Sequence, residues 1–254
     1  MARPETPAQS RPSVGLLYPG YAAEDDFPAL EARLEGAVRL PLVHTSVGED
    51  AHRIDALLDL GSQTRLHDGA RVLATERPGS IMWACTSGSF VFGWDGAREQ
   101  VQEIAATTRL PASSTSIAFV NAVRALELES VAVAASYPED VAASFRDFLT
   151  HGGIEVTTMV SNDIITAAEV GTLDKEAVLA LVAGVTRDGA DGGADAVLVP
   201  DTAMHSLAWL DELEEAAAKP VLTANQVTVW EGLRLLGPVP DLPAMGSLFR
   251  AGPA

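Results

Sequence analysis

Ser80-Ile81-Met82-Trp83-Ala84-Cys85-Thr86-Ser87-Gly88-Ser89 decides the fold. An apolar run of strand length gives way at Cys85 to a small, polar, glycine-containing turn, and a helix is expected beyond it. The chain's one cysteine therefore stands at a strand end. The same order returns in the second half, where Ala194-Asp195-Ala196-Val197-Leu198-Val199-Pro200 leads into Asp201-Thr202-Ala203-Met204. Working outward, Leu110 to Ser116 followed by a helix through Asn121 to Leu126 is matched by Lys219 to Gln226 and a helix through Trp230 to Leu236. The openings agree as well, Val14-Gly15-Leu16-Leu17-Tyr18-Pro19 against Val131 to Pro138. A period of roughly a hundred residues is a domain duplication, since solenoid units run to about 20 to 50. Cys85 and Asp201 then occupy equivalent strand ends, and two halves facing across a cleft would bring them to one small ligand.

Apolar runs bounded by Gly, Pro, Asp and Ser alternate with Ala-rich stretches of helical period, the pattern of parallel sheets flanked by helices. Strands are expected near 14–18, 39–43, 80–84, 112–114, 131–136, 154–158, 195–199 and 220–222. Helices are expected near 27–36, 50–60, 62–75, 93–107, 117–127, 138–151, 166–170, 174–187, 204–217 and 226–235, with Asp174 as an N-cap and 188–193 as a flexible loop. The fold class is α/β: two pseudo-symmetric, duplicated halves, each a mostly parallel sheet with helices, and a site in the cleft between them. Residues 1–12 read as a polar, disordered tail without the apolar core of a signal peptide. The first half runs over 13–125 and the second over 126–230, with 231–254 packing back on the first.

The 254 residues, 47% hydrophobic, can bury a core as one large or two small domains. Seventeen basic against 35 acidic residues leave a net charge of −18, which argues against nucleic acid, whose binding rests on phosphate neutralisation. No apolar stretch reaches the ~18 residues that span a bilayer. One cysteine forms no internal disulfide and fits a reducing cytoplasm. It also excludes a multi-cysteine zinc site. There is no P-loop, no dinucleotide fingerprint after the first strand and no G-x-S-x-G elbow. His44, His52, His67, His151 and His205 lack metal-ligand spacing, and four of them read as surface or loop residues.

Each candidate residue has a plainer reading beside the chemical one. Backbone amides and a helix dipole at the strand end would make Cys85 a reactive thiolate, yet a free cysteine usually serves as a small buried hydrophobe. Thr86 and Ser87 can donate to a substrate carboxylate or simply cap the next helix. Asp201 is either an acid/base group or a helix N-cap. On the expected 204–217 helix, His205 lies four residues on from Asp201, on the side where the two would form an acid/base pair.

These residues, in order over nearly the whole chain, resemble the aspartate/glutamate racemase superfamily, in its maleate cis-trans isomerase and arylmalonate decarboxylase branch. The resemblance is carried by Gly15 to Pro19, Ala84 to Phe90, Ser116 to Leu126, Ala135-Ser136-Tyr137, Pro220 to Trp230 and the ending Gly246-Ser247-Leu248-Phe249. It implies no metal and no organic cofactor, a small carboxylate as substrate, and neither nucleic acid nor membrane as partner, with self-association left open. It implies Thr86, Ser87 and Tyr137 as donors to the substrate, and the duplication adds Pro19, Thr202, Asn225 and His205 to the pocket around Cys85 and Asp201. The chain departs from the branch in one respect. Racemases and isomerases of this type present a cysteine from each half and the decarboxylases keep the second; here the first position is Cys85 and the second is Asp201. The expected function is isomerisation or racemisation of a small carboxylic or dicarboxylic acid by proton transfer or thiol addition. The alternatives are a decarboxylase with altered protonation face and a catalytically silent acid-binding accessory protein.

Overall fold

The computed structural model describes residues 11–242 and 244–250. Eight strands form two four-stranded sheets: β1 (Val14–Pro19), β2 (Leu42–Thr45), β3 (Ser80–Trp83) and β4 (Ala112–Ser114), then β5 (Ser130–Ala135), β6 (Glu155–Ser161), β7 (Ala196–Val199) and β8 (Val221–Thr223). Their orders are β2-β1-β3-β4 and β6-β5-β7-β8, with every pairing parallel. The identical order is the duplication in three dimensions. The central strands β1, β3, β5 and β7 are almost wholly buried, as parallel strands covered by helices on both faces must be.

Helices Thr115–Ala125 and Ala224–Arg234 pack on each other between the halves. The second is buried on all sides from Ala224 to Leu233, so its polar residues need partners. Gln226 closes a capping box with Thr223, and Glu231 takes bonds from Asn121 and Arg234. This helix follows β8 but lies against β1, β3 and β4 of the other sheet. The approach is close enough that a Cβ on Gly232 would sit 2.2 Å from Val14 Cγ1. Gly232→Ala gains up to ~1 kcal/mol of helix propensity. Overpacking against a stiff, fully buried Val14 costs about 1–3 kcal/mol, so the melting temperature should fall by several degrees in calorimetry. Beyond this helix, Ser247 and Arg250 reach the second half, where Glu214 accepts from both.

Most expected elements stand within a few residues of their places, including Asp174, which accepts from the Ala177 N–H at 2.9 Å as an N-cap. Of the tail expected over 1–12, residues 1–10 lie outside the described residues. Two differences have physical causes. The second strand begins at Leu42, after Pro41. The helix expected from 204 begins at Leu210, because the N–H groups of Ser206 and Leu207 donate to the Asp26 carboxylate of the first half (2.9 and 3.2 Å) rather than to a preceding turn. No helix among the described residues is long and apolar enough to cross a membrane.

Candidate active site

Both sheets turn their strand C-termini toward one cavity of about 200 Å³. In each sheet the order reverses between the two central strands, and that switch point is where open parallel sheets hold ligands. Tyr18, Pro19 and Gly20 reach the cavity from the end of β1, Cys85 and Ser87 from beyond β3, and Asp201, Thr202 and Ala203 from beyond β7. Tyr18 joins the halves: its hydroxyl donates to the Thr202 carbonyl and accepts from the Ala23 N–H, both at 3.0 Å. Among the described residues no Lys or Arg lines the cavity, whereas Glu49 and Asp50 do.

Cys85 is 4% exposed. The Gly88 N–H donates to Sγ at 3.3 Å and the Ser87 hydroxyl lies 3.9 Å away. These contacts favour a thiolate, but burial outweighs them and, with the Asp201 charge adding to it, pushes the thiol up to about 12. Burial thus works against the reactive thiolate that the strand-end setting suggests. The helix beyond, Ser87–Phe90, is a single turn with little dipole to offer. Alkylation by iodoacetamide at pH 7 should accordingly be much slower than for a free thiol of pKa ~8.5 and keep rising above pH 9. A rate that levels off near pH 8 would contradict this.

Asp201, 5% exposed, accepts from the Ser136 hydroxyl on Oδ2 and from the Ala203 N–H on Oδ1 at 3.0 Å. It closes a turn; the nearest helix starts nine residues later, so helix capping is not its role. Nor does it meet His205, whose Nε2 lies 2.7 Å from Asp25 Oδ1, since the helix that would have aligned the two does not exist there. Asp201 faces His52 instead, Nε2 lying 3.9 Å from Oδ2.

The other expected residues divide. Pro19, Ser87 and Thr202 line the cavity with Cys85 and Asp201. Thr86 and Tyr137 are fully buried and lie outside the lining, where the Tyr137 hydroxyl donates to the Pro200 carbonyl. Burial, then the neighbouring Asp201 and Cys85, holds the Tyr137 phenol well above its ordinary range, so it is a neutral donor. Asn225 and His205 lie outside the cavity; the Asn225 amide donates to Asp26 at 3.0 Å.

His52, in the expected 50–60 helix and with no metal-ligand spacing, is a site residue that the sequence does not single out. It is buried, and its ring stands edge-on to Tyr137, with centroids 5.0 Å apart. It belongs to a clasp in the cavity wall between segments 50–52 and 164–168. His52 N–H donates to Ile165 O (2.8 Å) and Nδ1 to Ile164 O (2.8 Å), while Asp50 accepts from the N–H groups of Ala167 (2.9 Å) and Ala168 (3.1 Å). The available signal was its place in the short polar run after a strand, the logic that singled out Cys85 and Asp201.

The arylmalonate decarboxylase family profile matches residues 60–249. A maleate isomerase of Geobacillus stearothermophilus is 29% identical over 139 residues, 55% of this chain, and the match spans about half (54%) of that relative's length. Arylmalonate decarboxylase of Bordetella bronchiseptica is 25% identical over 244 residues, 94% of this chain and 97% of the relative. A liganded double mutant of arylmalonate decarboxylase, with a glycine changed to cysteine and a cysteine to serine, has the same fold: TM-score 0.82, 24% identity, 94% of this chain and 98% of that one.

Proposed function

Since the chain belongs to the arylmalonate decarboxylase family, within the maleate isomerase and arylmalonate decarboxylase branch of the Asp/Glu racemase superfamily, we propose that it is a cofactor-independent isomerase or racemase that moves a proton at the carbon beside a small carboxylate. The observation that carries this reading is that Cys85 and Asp201, each two residues beyond an equivalent strand of the two halves, line one cavity. Asp201, its oxygens accepting two hydrogen bonds, is the base. Cys85 is the acid: burial pushes its thiol up to about 12, which keeps it protonated and able to supply a proton. Asp201 takes the α-proton, the C–H electron pair passes into the carboxylate as an enediolate, and Cys85 S–H protonates the opposite face. The substrate carboxylate is held by the hydroxyl and N–H donors of Ser87, which lines the cavity, while Thr86, buried behind the lining, holds the turn by accepting from the Ser89 and Phe90 N–H groups.

Decarboxylation is the second reading, favoured by the relative that covers 94% of the chain. There, loss of CO₂ supplies the enediolate and only the Cys85 proton is needed. One ¹H NMR experiment in D₂O, on 2-phenylpropionate, aspartate, maleate and phenylmalonate, separates the readings. Deuterium at the α-carbon of an acid that keeps its carbon skeleton supports proton transfer. Loss of CO₂ from phenylmalonate selects the second reading, and an unchanged panel sinks both.

A further inference from the structure

On the reading that Asp201 is the base, we infer that His52 is the proton relay that discharges it. The evidence is geometric. Nδ1 lies 2.8 Å from the Ile164 carbonyl, which can only accept, so Nδ1 carries the hydrogen and a neutral ring presents the Nε2 lone pair to Asp201 Oδ2. The edge-on packing against Tyr137 fixes the ring plane, and Ile164 fixes its rotation. The gap of 3.9 Å exceeds hydrogen-bond reach by about 1 Å, a slack usual before a substrate tightens such a site. Tyr137, a neutral phenol, packs on the ring, and the other ionisable groups that line the cavity with His52 and Asp201 are Tyr18, Tyr21, Cys85, Glu49 and Asp50.

The proton balance requires that Asp201 lose its proton between turnovers, and His52 is the base nearest its Oδ2 among the described contacts. After one turnover Asp201 holds the substrate's proton and Cys85 is a thiolate. The Oδ2 proton passes to Nε2, giving an imidazolium whose Nδ1–H stays on Ile164, and leaves from Nε2 to water. Water reprotonates Cys85, so nothing is consumed. His52 acts through Asp201 and is a positioning and relay residue.

Two measurements test this. At pH 9, where imidazoles are neutral, ¹⁵N–¹H correlation spectra should show His52 with a protonated Nδ1 and a bare Nε2. The Nε2–H tautomer would overturn the relay whatever the substrate proves to be. For turnover, the probe is whichever acid of the four above the wild type exchanges fastest. His52→Asn keeps an N–H for Ile164 but offers nothing to Asp201; it should lower kcat on the order of 10²-fold with KM held within about threefold. Asp201→Asn/His52→Asn should be no slower than Asp201→Asn alone, because the relay has nothing to carry once the base is gone. Losses that multiply, or wild-type kcat in His52→Asn, would overturn the inference. A wild type silent on the whole panel would count against the proposed function and leave the tautomer result to decide the relay.

Discussion

Cys85→Ser should lose turnover by on the order of 10³-fold or more while the protein keeps its fold. The serine hydroxyl is smaller and a far weaker acid than the thiol, so it fits the site but cannot protonate an enediolate on the same schedule. The Gly88 N–H that meets Sγ at 3.3 Å has an oxygen to meet instead, which keeps the local turn satisfied. Unchanged melting with collapsed kcat in the exchange assay is the expected pair of results. Equal kcat in the variant would move the proton donor elsewhere.

Asp201→Asn should cost a further order-of-magnitude test of the opposite wall, about 10²- to 10⁴-fold in kcat, the span for removing a positioned acid or base. Asn retains an oxygen for the Ala203 N–H and presents its amide to the Ser136 hydroxyl, which can accept, so stability should change little. The substitution has a second consequence that needs no substrate. The Asp201 charge helps to hold the Cys85 thiol up; removing it lowers the thiol pKa and raises the thiolate fraction at any given pH. Iodoacetamide should therefore modify Cys85 faster in Asp201→Asn than in the wild type at pH 8 to 9. An unchanged rate would mean that the two side chains do not sense each other across the cavity.

The duplicated sheets were legible because their central strands are short buried apolar runs bounded by turn residues, and each such run ends where a site residue can stand. That reading reached Cys85 and Asp201 directly. What escaped it was set by partners distant in sequence. Residues 204–209 have a helical apolar spacing, yet Asp26, some 180 residues away, holds two of their N–H groups, and His205 follows the chain away from Asp201 to Asp25. His52 is not singled out by the sequence because its cover, the Ile164 to Ala168 segment, belongs to the other half. The thiol shows the same limit: amides and a turn of helix are visible in the local sequence, whereas the burial that opposes its ionisation comes from residues of both halves.

The clasp in the cavity wall also sets a clock. Four hydrogen bonds tie the 50–52 segment to the 164–168 segment. At a net 0.5–1.5 kcal/mol each they represent roughly 2–6 kcal/mol holding the two segments together beside the cavity. If ligand exchange requires the segments to part, the same latch delays a product's departure. Where proton transfer is fast, the dwell time of the product behind these loops, on the microsecond to millisecond scale of such motions, becomes the limit on throughput. Turnover then responds to solvent viscosity more than to deuterium.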